Sequence, residues 1–366
     1  MSDLYLGLMS GTSLDALDIA LCQFEPHYQL IQSNSFDLPL DLKKRIEALT
    51  LDARISLDQL MILERDLATF ASEATLLFLS QQRISASQID ALGYHGQTLR
   101  HNPAEGCTLQ AGDPNILAEM VGVDVVADLR RRDLAAGGEG APLVPAFHQF
   151  LTHNLSAPYA LLNLGGIANL SLFQSNEVVL GFDTGPANTL LDQWINHHQG
   201  KAFDHNGQWA KQGTVIPALL DRLLSDPYFQ RDIPKSTGRE LFNLSWLNHA
   251  LDEMKQTYSP QDVQATLSEL TAKSVADALI RHTNDTPRQL IVCGGGALNA
   301  DLLDRLSHHL PETKVIVSDE LGWPADAMEA AAFAWLAYAF KKEKMGNIPS
   351  VTGAFGPRRL GALYPK

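Results

Sequence analysis

Short apolar runs separated by glycine-containing turns recur in this chain and predict strands at corresponding places in two halves. Two runs flank one turn near the start, and three follow each other near the middle, at residues 4–9, 17–21, 159–164, 170–173 and 178–182. Apolar runs of this length, bounded by Gly, Ser, Asn and Asp, are typical of strands joined by tight turns. The pattern therefore predicts an internal repeat at the level of architecture.

Segments with apolar residues every three or four positions predict helices between these strands. The predicted helices span residues 40–51, 57–80, 114–121, 144–151, 188–197, 208–224, 260–283 and 297–308, and a last helix begins at Pro324. Further strands are predicted at residues 89–94, 123–127, 290–293 and 314–317. Strands alternating with helices imply α/β domains. We place the boundary before the second repeat, which gives domains 1–155 and 156–366 with a C-terminal tail that could pack back on the first.

The composition is that of a globular protein with an acidic surface. The chain has 366 residues, about 2.4 times a typical domain length, and carries 28 Lys and Arg against 42 Asp and Glu, a net charge of −14. This balance argues against nucleic-acid and anionic-membrane partners, which favour a basic face. An anionic ligand would then be held locally, by backbone N–H groups, a few cations or a metal.

The cysteines and the chain start predict a cytoplasmic protein. Cys22, Cys107 and Cys293 are odd in number and far apart, which indicates no disulfide framework or CxxC metal site. The apolar run at residues 4–9 has no basic segment before it and is too short for a signal peptide. The longest apolar stretch, at residues 327–340, contains Glu329 and is too short to span a membrane.

Three glycine-rich turns, each after a strand, favour nucleotide binding. In the first, Gly11 exposes backbone N–H groups, while Thr12 and Ser13 add hydroxyl donors suited to phosphate oxygens. Asp15 and Asp18 beside a triphosphate would need a cation between, which implies Mg²⁺ held through waters. The alternative for this turn is a plain tight hairpin.

The second turn, from Gly165 to Asn169, is open to the same two interpretations. The third, Gly294–Gly296, would let a flat nucleoside approach, or it is only a strand-to-helix turn. The chain has no GxxxxGK[ST], GxGxxG, HExxH or GxSxG motif, so the commoner nucleotide folds and hydrolases lose support.

Several polar residues are candidates for the chemistry. Asp183, at a predicted strand end before Thr-Gly-Pro, suits a general base, although an Asx turn or helix cap is the alternative. Asp326 and Glu329 share one helix face and would bind sugar hydroxyls or complement the helix dipole. Arg130, in the one dense basic cluster, would bind a substrate carboxylate unless the cluster is a solvated turn. His95 beside Gly96 is a further candidate.

Sequence blocks in a fixed order carry a more specific signal. They run from Leu8 to Ala337 and read LMSGTSLDALDIAL, YHGQTLRHNP, LQAGDPNILAE, VADLRRRDLAAGGEGAPLVPAFH, LNLGGIANLS, GFDTGPANTLLD, KSTGRELFN, CGGGALN and GWPADAMEAAAFAWLA. Together they resemble the anhydro-N-acetylmuramic acid kinase family. The resemblance implies two related actin-like, ribonuclease H-like α/β domains around an ATP cleft. It also implies a homodimer that uses ATP to convert an amino sugar, 1,6-anhydro-N-acetylmuramic acid, to N-acetylmuramic acid 6-phosphate in peptidoglycan recycling.

The resemblance implies roles for individual residues. Nucleotide contacts fall on Gly11, Thr12, Ser13, Leu14, Asp15, Ala16, Leu17, Asp18, Gly165, Gly166, Asn169, Gly294, Gly295 and Gly296. Asp183 would be catalytic, and substrate contacts fall on His95, Asp113, Arg130, Asp326 and Glu329. Ala16 departs from the Gly expected there, which would strain the turn only if that position has a positive φ. Rival functions are another sugar or acetate-type kinase and a nucleotide-driven binding module.

Overall fold

Two structural units make up the chain. The computed structural model describes residues 3–11, 14, 16–52, 55–175, 179–233, 235–238 and 241–366. Unit 1 comprises Met1–His153 and Ala327–Lys366, and unit 2 comprises Asn154–Asp326.

The elements within the described residues are as follows. The strands are β1 (Leu4–Ser10), β2 (Ala16–Gln23), β3 (Gln29–Asp37), β4 (Ile89–Tyr94), β5 (Gln97–Asn102), β6 (Cys107–Ala111), β7 (Val125–Ala127), β8 (Tyr159–Leu164), β9 (Ile167–Phe173), β10 (Val179–Pro186), β11 (Gln289–Cys293), β12 (Lys314–Val317) and β13 (Ala362–Tyr364). The helices are α1 (Leu40–Asp52), α2 (Leu57–Gln82), α3 (Pro114–Val121), α4 (Leu129–Leu134), α5 (Val144–Leu151), α6 (Asn188–Gln199), α7 (Pro217–Leu224), α8 (Pro227–Gln230), α9 (Leu244–Glu253), α10 (Pro260–His282), α11 (Ala300–His309), α12 (Met328–Lys341) and α13 (Pro349–Thr352). Short 3₁₀ turns include Gly295–Leu298 and Ala325–Ala327.

The sheets of the two units repeat one strand order. In unit 1 the order is β13-β7-β4-β1-β2-β3, and in unit 2 it is β10-β9-β8-β11-β12. In unit 1, β1, β2 and β3 pair antiparallel, and β4 and β7 run parallel to β1 on its other side. In unit 2, β8, β9 and β10 pair antiparallel, and β11 and β12 run parallel to β8 on its other side. Unit 1 adds β13 at its edge, antiparallel to β7. The predicted α/β repeat is therefore confirmed, and the units are related ribonuclease H-like domains.

Helix α12 packs on the sheet of unit 1. It contacts β1, β2 and β4, and two paired glycines allow the close approach. A Cβ added to Gly7 would lie 1.9 Å from the carbonyl oxygen of Ala330, and one added to Gly93 would lie 2.0 Å from that of Phe333. The division at residue 155 assigned this helix to the second domain. In the structure the chain instead returns to unit 1 at Ala327, because strands distant in sequence provide the glycine surface that the helix needs.

Most predicted helices and strands are found within a few residues of their expected ends, with two clear exceptions among the helices. The predicted helix 208–224 is interrupted, and α7 begins only at Pro217, because Gly213 lies against α10 and Pro217 favours a helix start. The long helix begins at Met328 and not at Pro324. Strands β3, β5 and β6 have polar or mixed sequences and were not predicted. Among the described helices, none has the length and apolar character needed to cross a membrane.

Candidate active site

Asp183 is held by donors from two directions in unit 2. It lies on β10 opposite Asn169 of β9, whose Nδ2 donates to Oδ1 of Asp183 over 2.9 Å. The backbone N–H of Thr237 donates to the other carboxylate oxygen over 2.9 Å. A shift in register between Asp183 and Gly185 marks the strand irregularity that aims side chains near active sites. The carboxylate is half-buried and fixed in orientation, as a general base must be.

The backbone of Asp183 is also fixed. Its N–H donates to the carbonyl of Lys235, and its carbonyl accepts from the hydroxyl of Tyr228 over 2.8 Å. Lys235 is buried, with its ammonium 4.8 Å from the centre of the Tyr228 ring. Burial and then the charges of Arg281 and Arg231 lower the pKa of Lys235, while Asp183 partly opposes this. The segment with Lys235 and Thr237 thus supports Asp183, a role that no motif in the sequence indicated.

The second glycine turn joins the start of helix α6. The carbonyl of Gly165 accepts from the N–H of Asn188, and that of Gly166 accepts from the N–H groups of Ala187 and Thr189. A Cβ on Gly166 would lie 2.6 Å from Oγ1 of Thr189, so the turn needs a glycine there. A Cβ on Gly165 would meet nothing closer than 3.7 Å. An added Cβ would therefore make only ordinary van der Waals contacts, and protein packing does not require a glycine at residue 165.

The third turn follows β11 at the same sheet edge, because β11 runs parallel to β8. Gly294 has φ +80°, and a Cβ there would lie 2.3 Å from Oδ1 of Asn163. A Cβ on Gly296 would lie 2.6 Å from Cβ of Leu164, whereas at Gly295 the nearest atom, Nδ2 of Asn188, is 3.9 Å away. Protein packing explains Gly294 and Gly296. It does not explain why residue 295 is a glycine, whereas a ligand bound close to the backbone there would explain it.

Asn188 connects the second and third turns. Its Nδ2 donates to the carbonyl of Leu164 over 2.9 Å, and its side chain also lies beside Gly295 and Gly296. Sequence reasoning treated Asn188 only as the start of a helix. Asn299, at the end of the third turn, is a helix cap, since its Oδ1 accepts from the N–H of Leu302 over 3.2 Å.

The first glycine turn is described only in part. Thr12, Ser13 and Asp15, predicted to bind nucleotide or magnesium, lie outside the described residues. The N–H of Leu14 donates to the carbonyl of Gly11 over 3.3 Å.

Leu14, with φ +58°, is the described residue of this turn in the left-handed region. The side chains of Leu14 and Leu17 are buried in the core, so any contact they make with nucleotide would be through the backbone.

Ala16 and Asp18 both lie on β2. Ala16 is paired with Asp37 of β3 in extended strand conformation, so alanine causes no strain at this position. Asp18 is half-buried, and its carboxylate accepts a hydrogen bond from the hydroxyl of Ser35 on β3. The Ser35 hydroxyl therefore orients one of the two carboxylates predicted for magnesium.

His95 and Arg130 form a pair at the carboxyl ends of the parallel strands β4 and β7. Nε of Arg130 donates to Nε2 of His95 over 3.0 Å, so the proton of the neutral imidazole is assigned to Nδ1. Burial and then the charge of Arg130 lower the pKa of His95 well below its usual value. Burial lowers the pKa of Arg130 to about 10, although Glu329 and Asp133 oppose this. At neutral pH the pair is therefore a neutral imidazole beside a charged guanidinium.

Gln97, which sequence reasoning did not single out, lies close to this pair. It is buried, accepts from the hydroxyl of Ser10 over 2.6 Å, and directs Nε2 to the carbonyl of Gly11 at 3.5 Å. Gln97 thus braces the start of the first glycine turn. Its position two residues after His95 was the available signal.

Asp113 is a helix cap. Its Oδ1 accepts from the N–H of Asn115 over 2.8 Å at the start of α3. Within the described residues, no hydrogen bond joins Asp113 to His95 or Arg130.

Asp326 and Glu329 do not share a helix as predicted. Asp326 is exposed in the 3₁₀ turn at the end of unit 2, and Glu329 is half-buried in the first turn of α12 in unit 1. The backbone of Ala325 explains the difference. Its N–H donates to Asp319 and its carbonyl accepts from the N–H of Gly294, which holds the segment in a turn outside the helix.

Comparison with a solved structure first supports the fold described above. The chain is similar to the activator of the 2-hydroxyisocaproyl-CoA dehydratase from Clostridium difficile, solved with bound ADPNP, with a TM-score of 0.51 and 12% identity. The match covers 93% of this chain and 96% of that one. Together with the repeated strand order, it shows that this chain shares the fold of that protein.

Sequence comparison then gives the family. Residues 3–366 match the family described as anhydro-N-acetylmuramic acid kinase. Proteins of that name from Haemophilus influenzae and Pseudomonas putida are each 47% identical to this chain. The matches cover 99% of this chain and 98% and 99% of those proteins, respectively. The chain therefore belongs to the anhydro-N-acetylmuramic acid kinase family.

Proposed function

We propose that this chain is an ATP-dependent kinase that opens 1,6-anhydro-N-acetylmuramic acid with water and phosphorylates O6, and that Asp183 is its general base. Membership of the family supports the reaction. The observation that carries the assignment of the base is the clamping of Asp183 between Asn169 and the N–H of Thr237. A carboxylate fixed at both oxygens retains lone pairs that accept a proton from a substrate or a water.

The chemistry of the substrate decides what the base acts on. In an anhydro sugar O6 is an ether oxygen and has no proton to lose. Asp183 therefore takes a proton from water, whose oxygen bonds to C1 while the C1–O6 bond breaks. The electron pair released on O6 attacks the γ-phosphorus of ATP, and the bond from phosphorus to the ADP oxygen breaks. The products are N-acetylmuramic acid 6-phosphate and ADP, with the water proton on Asp183.

The glycine turns are proposed to hold ATP through neutral donors. Backbone N–H groups stabilise phosphate oxygens and the charge that develops during phosphoryl transfer without requiring a basic surface. We place a phosphate beside Gly165 and the nucleoside beside Gly295, where an added Cβ would make only ordinary contacts at 3.7 and 3.9 Å. A ligand at these two glycines accounts for residues that protein packing does not require.

Mg²⁺ fits the donors that are available. Magnesium in phosphoryl-transfer enzymes takes one or two carboxylates together with waters and substrate phosphates. Asp18 offers the right oxygen donor and is oriented by Ser35, and no cluster of three protein ligands is found among the described residues or required. Asp15 and Asp18 would hold the ion, which when bound neutralises charge on the phosphates.

Arg130 is proposed to bind the lactyl carboxylate of the sugar. Two of its three nitrogens are engaged, Nε with His95 and Nη1 with the carbonyl of Gly140 over 2.9 Å. Within the described part of the chain, Nη2 makes no hydrogen bond and is left for a carboxylate oxygen. We propose contacts to the sugar from His95, Asp113, Asp326 and Glu329 as well.

The setting of the enzyme follows from the same proposal. A reaction that consumes ATP suits the cytoplasm, and the family resemblance favours a homodimer. Light scattering of the purified protein would test the dimer by measuring its mass in solution. A measured mass equal to that of one chain would exclude a dimer.

The activity is tested by mass spectrometry of the sugar product. Incubation of 1,6-anhydro-N-acetylmuramic acid with ATP and Mg²⁺ should add one water and one phosphoryl group. Free N-acetylmuramic acid under the same conditions should consume no ATP. Phosphorylation of the free sugar with no reaction of the anhydro sugar would indicate another sugar kinase and overturn the proposal.

A further inference from the structure

A buried carboxylate in unit 1 has no role in the mechanism above. Asp133 lies on α4, and its side chain is fully buried. Its Oδ1 accepts from Nδ2 of Asn347 over 2.6 Å and from the hydroxyl of Thr352 over 2.8 Å. Its Oδ2 accepts from the N–H of Gly140 over 2.8 Å. Asp133 therefore joins α4, the loop that ends at Gly140 and the C-terminal segment.

The network around Asp133 leads directly to Arg130. The same Gly140 whose N–H donates to Asp133 accepts, through its carbonyl, the hydrogen bond from Nη1 of Arg130. The loop fits closely, since a Cβ on Gly138 would lie 2.2 Å from Oδ2 of Asp133 and Gly140 has φ +70°. Asp133 thus fixes one peptide, and that peptide fixes the guanidinium.

Stabilisation of the fold alone does not explain why residue 133 is a carboxylate. Its three hydrogen-bond donors are neutral, and a buried carboxylate with neutral partners costs more desolvation free energy than a buried amide. The negative charge lies close enough to Arg130 to oppose the effect of burial on that guanidinium. A role in holding and charging Arg130 accounts for a carboxylate at this position.

We propose that Asp133 is a positioning residue for recognition of the sugar, acting through Gly140 to orient Arg130 toward the substrate carboxylate. The inference rests on the proposed function, because it assumes that Arg130 contacts the sugar. It concerns binding of the sugar only, so ATP binding should be insensitive to Asp133.

The test compares Michaelis constants for the sugar and for ATP in matched variants of the full chain. Asp133→Asn should raise KM for 1,6-anhydro-N-acetylmuramic acid about tenfold, as loss of one well-placed buried hydrogen bond does. KM for ATP should change less than about twofold, a negligible free-energy difference. Arg130→Ala should raise the same sugar KM at least as much. Phe78→Leu, in the core of unit 1 away from this network, controls for loss of stability and should leave both constants unchanged.

A double variant provides the rescue. In Asp133→Asn with Asn347→Asp, residue 133 can still accept from the N–H of Gly140 and donate to a carboxylate at residue 347. That carboxylate can also accept from the N–H of Arg358, which now donates to Asn347 over 2.7 Å. We expect the sugar KM to return to within about threefold of the wild-type value, less than one hydrogen bond is worth.

The outcomes separate two failures. If the wild-type chain adds no water and phosphoryl group to the anhydro sugar, the proposed function itself fails. If the wild type is active and Arg130→Ala raises the sugar KM, the inference is overturned by a folded Asp133→Asn enzyme with unchanged sugar KM, or by equal rises for sugar and ATP. Should Asp133→Asn not fold, the double variant decides, and a folded double variant with a raised sugar KM refutes the inference.

Discussion

Each unit has a hydrogen-bonded polar pair between the second and third strands of its sheet. The carboxylate of the pair lies on the second strand in unit 1 and on the third strand in unit 2. In unit 1, Asp18 is the third residue of the second strand and accepts a hydrogen bond from Ser35 on the third strand. In unit 2 the third residue of the second strand is Asn169, and it donates to Asp183 on the third strand. One backbone arrangement therefore presents a hydrogen-bonded carboxylate in both units, with donor and acceptor exchanged.

The exchange teaches that topology sets where a polar pair lies, and local partners set what it can do. Asp183 receives a second donor, the N–H of Thr237, and is clamped as a base would be. Asp18 is paired with a hydroxyl beside the first glycine turn and suits a cation.

The largest expected effect is on the carboxylate of unit 2. Asp183→Asn should lower kcat by about 10²–10⁴-fold, the usual contribution of general-base catalysis, while the affinity for ATP stays nearly the same. ADP release and nucleotide binding measured on one preparation check both. Asp277→Asn, an exposed carboxylate of unit 2 paired with Lys273, is the control. An active Asp183→Asn enzyme would end the assignment.

The next effect separates two neighbouring glycines. Gly294→Ala should reduce the free energy of unfolding by about 2–4 kcal/mol, because alanine is strained at φ +80° and would overlap Asn163. Gly295→Ala should change it by less than about 0.5 kcal/mol but raise KM for ATP. Urea denaturation and ATP kinetics give both values. Equal destabilisation by the two substitutions would remove the argument for a ligand at Gly295.

A smaller effect is expected for the carboxylate of unit 1. Asp18→Asn should raise the Mg²⁺ concentration for half-maximal activity about tenfold, because a neutral amide attracts a divalent cation less strongly. Saturating Mg²⁺ should restore most of kcat in Asp18→Asn, whereas it should not restore kcat in Asp183→Asn. Titration of activity with Mg²⁺ at fixed ATP is the measurement. Loss of kcat that Mg²⁺ does not restore would make the two carboxylates alike and contradict the comparison.

A last effect, on stability and not on activity, concerns a buried histidine in unit 1. Burial lowers the pKa of His148 to about 3, below its usual value of 6.5. The unfolded chain therefore binds a proton first, and stability falls as the pH drops below 6.5, by about 1.4 kcal/mol per pH unit.

In unit 2 burial raises the pKa of Glu269, but hydrogen bonds from Arg305 and His309 outweigh burial, and the pKa is lowered. The contribution of Glu269 to stability is therefore lost only in more acidic solution. His148→Phe should flatten the pH dependence of urea unfolding between pH 6.5 and 5. Parallel curves for wild type and variant would contradict this difference between the units.

The strand–turn–strand repeat was predictable because it is local. Apolar runs and their glycine turns occupy contiguous segments, and so does the helix periodicity of α2 and α10. The placement of α12 was not predictable from its own sequence. It depends on Gly7 and Gly93, which form its packing surface only after the sheet has assembled.

The partners in the site were hidden for the same reason. Asp183 was singled out from its strand-end position, but its donors come from another strand and from the segment at Thr237. His95 and Arg130 were separate candidates whose hydrogen bond depends on the parallel pairing of β4 and β7. Asp133 directly follows Arg130, Arg131 and Arg132, and nothing in the sequence indicated that it would be buried.

The most direct test follows the water oxygen. In H₂¹⁸O, with the product analysed after a short incubation, we predict one ¹⁸O on C1 of N-acetylmuramic acid 6-phosphate and none in its phosphate group. That result is expected only if activated water attacks C1 while O6 takes the phosphoryl group. Label in the phosphate, or a sugar phosphate without label at C1, would contradict the role proposed for Asp183.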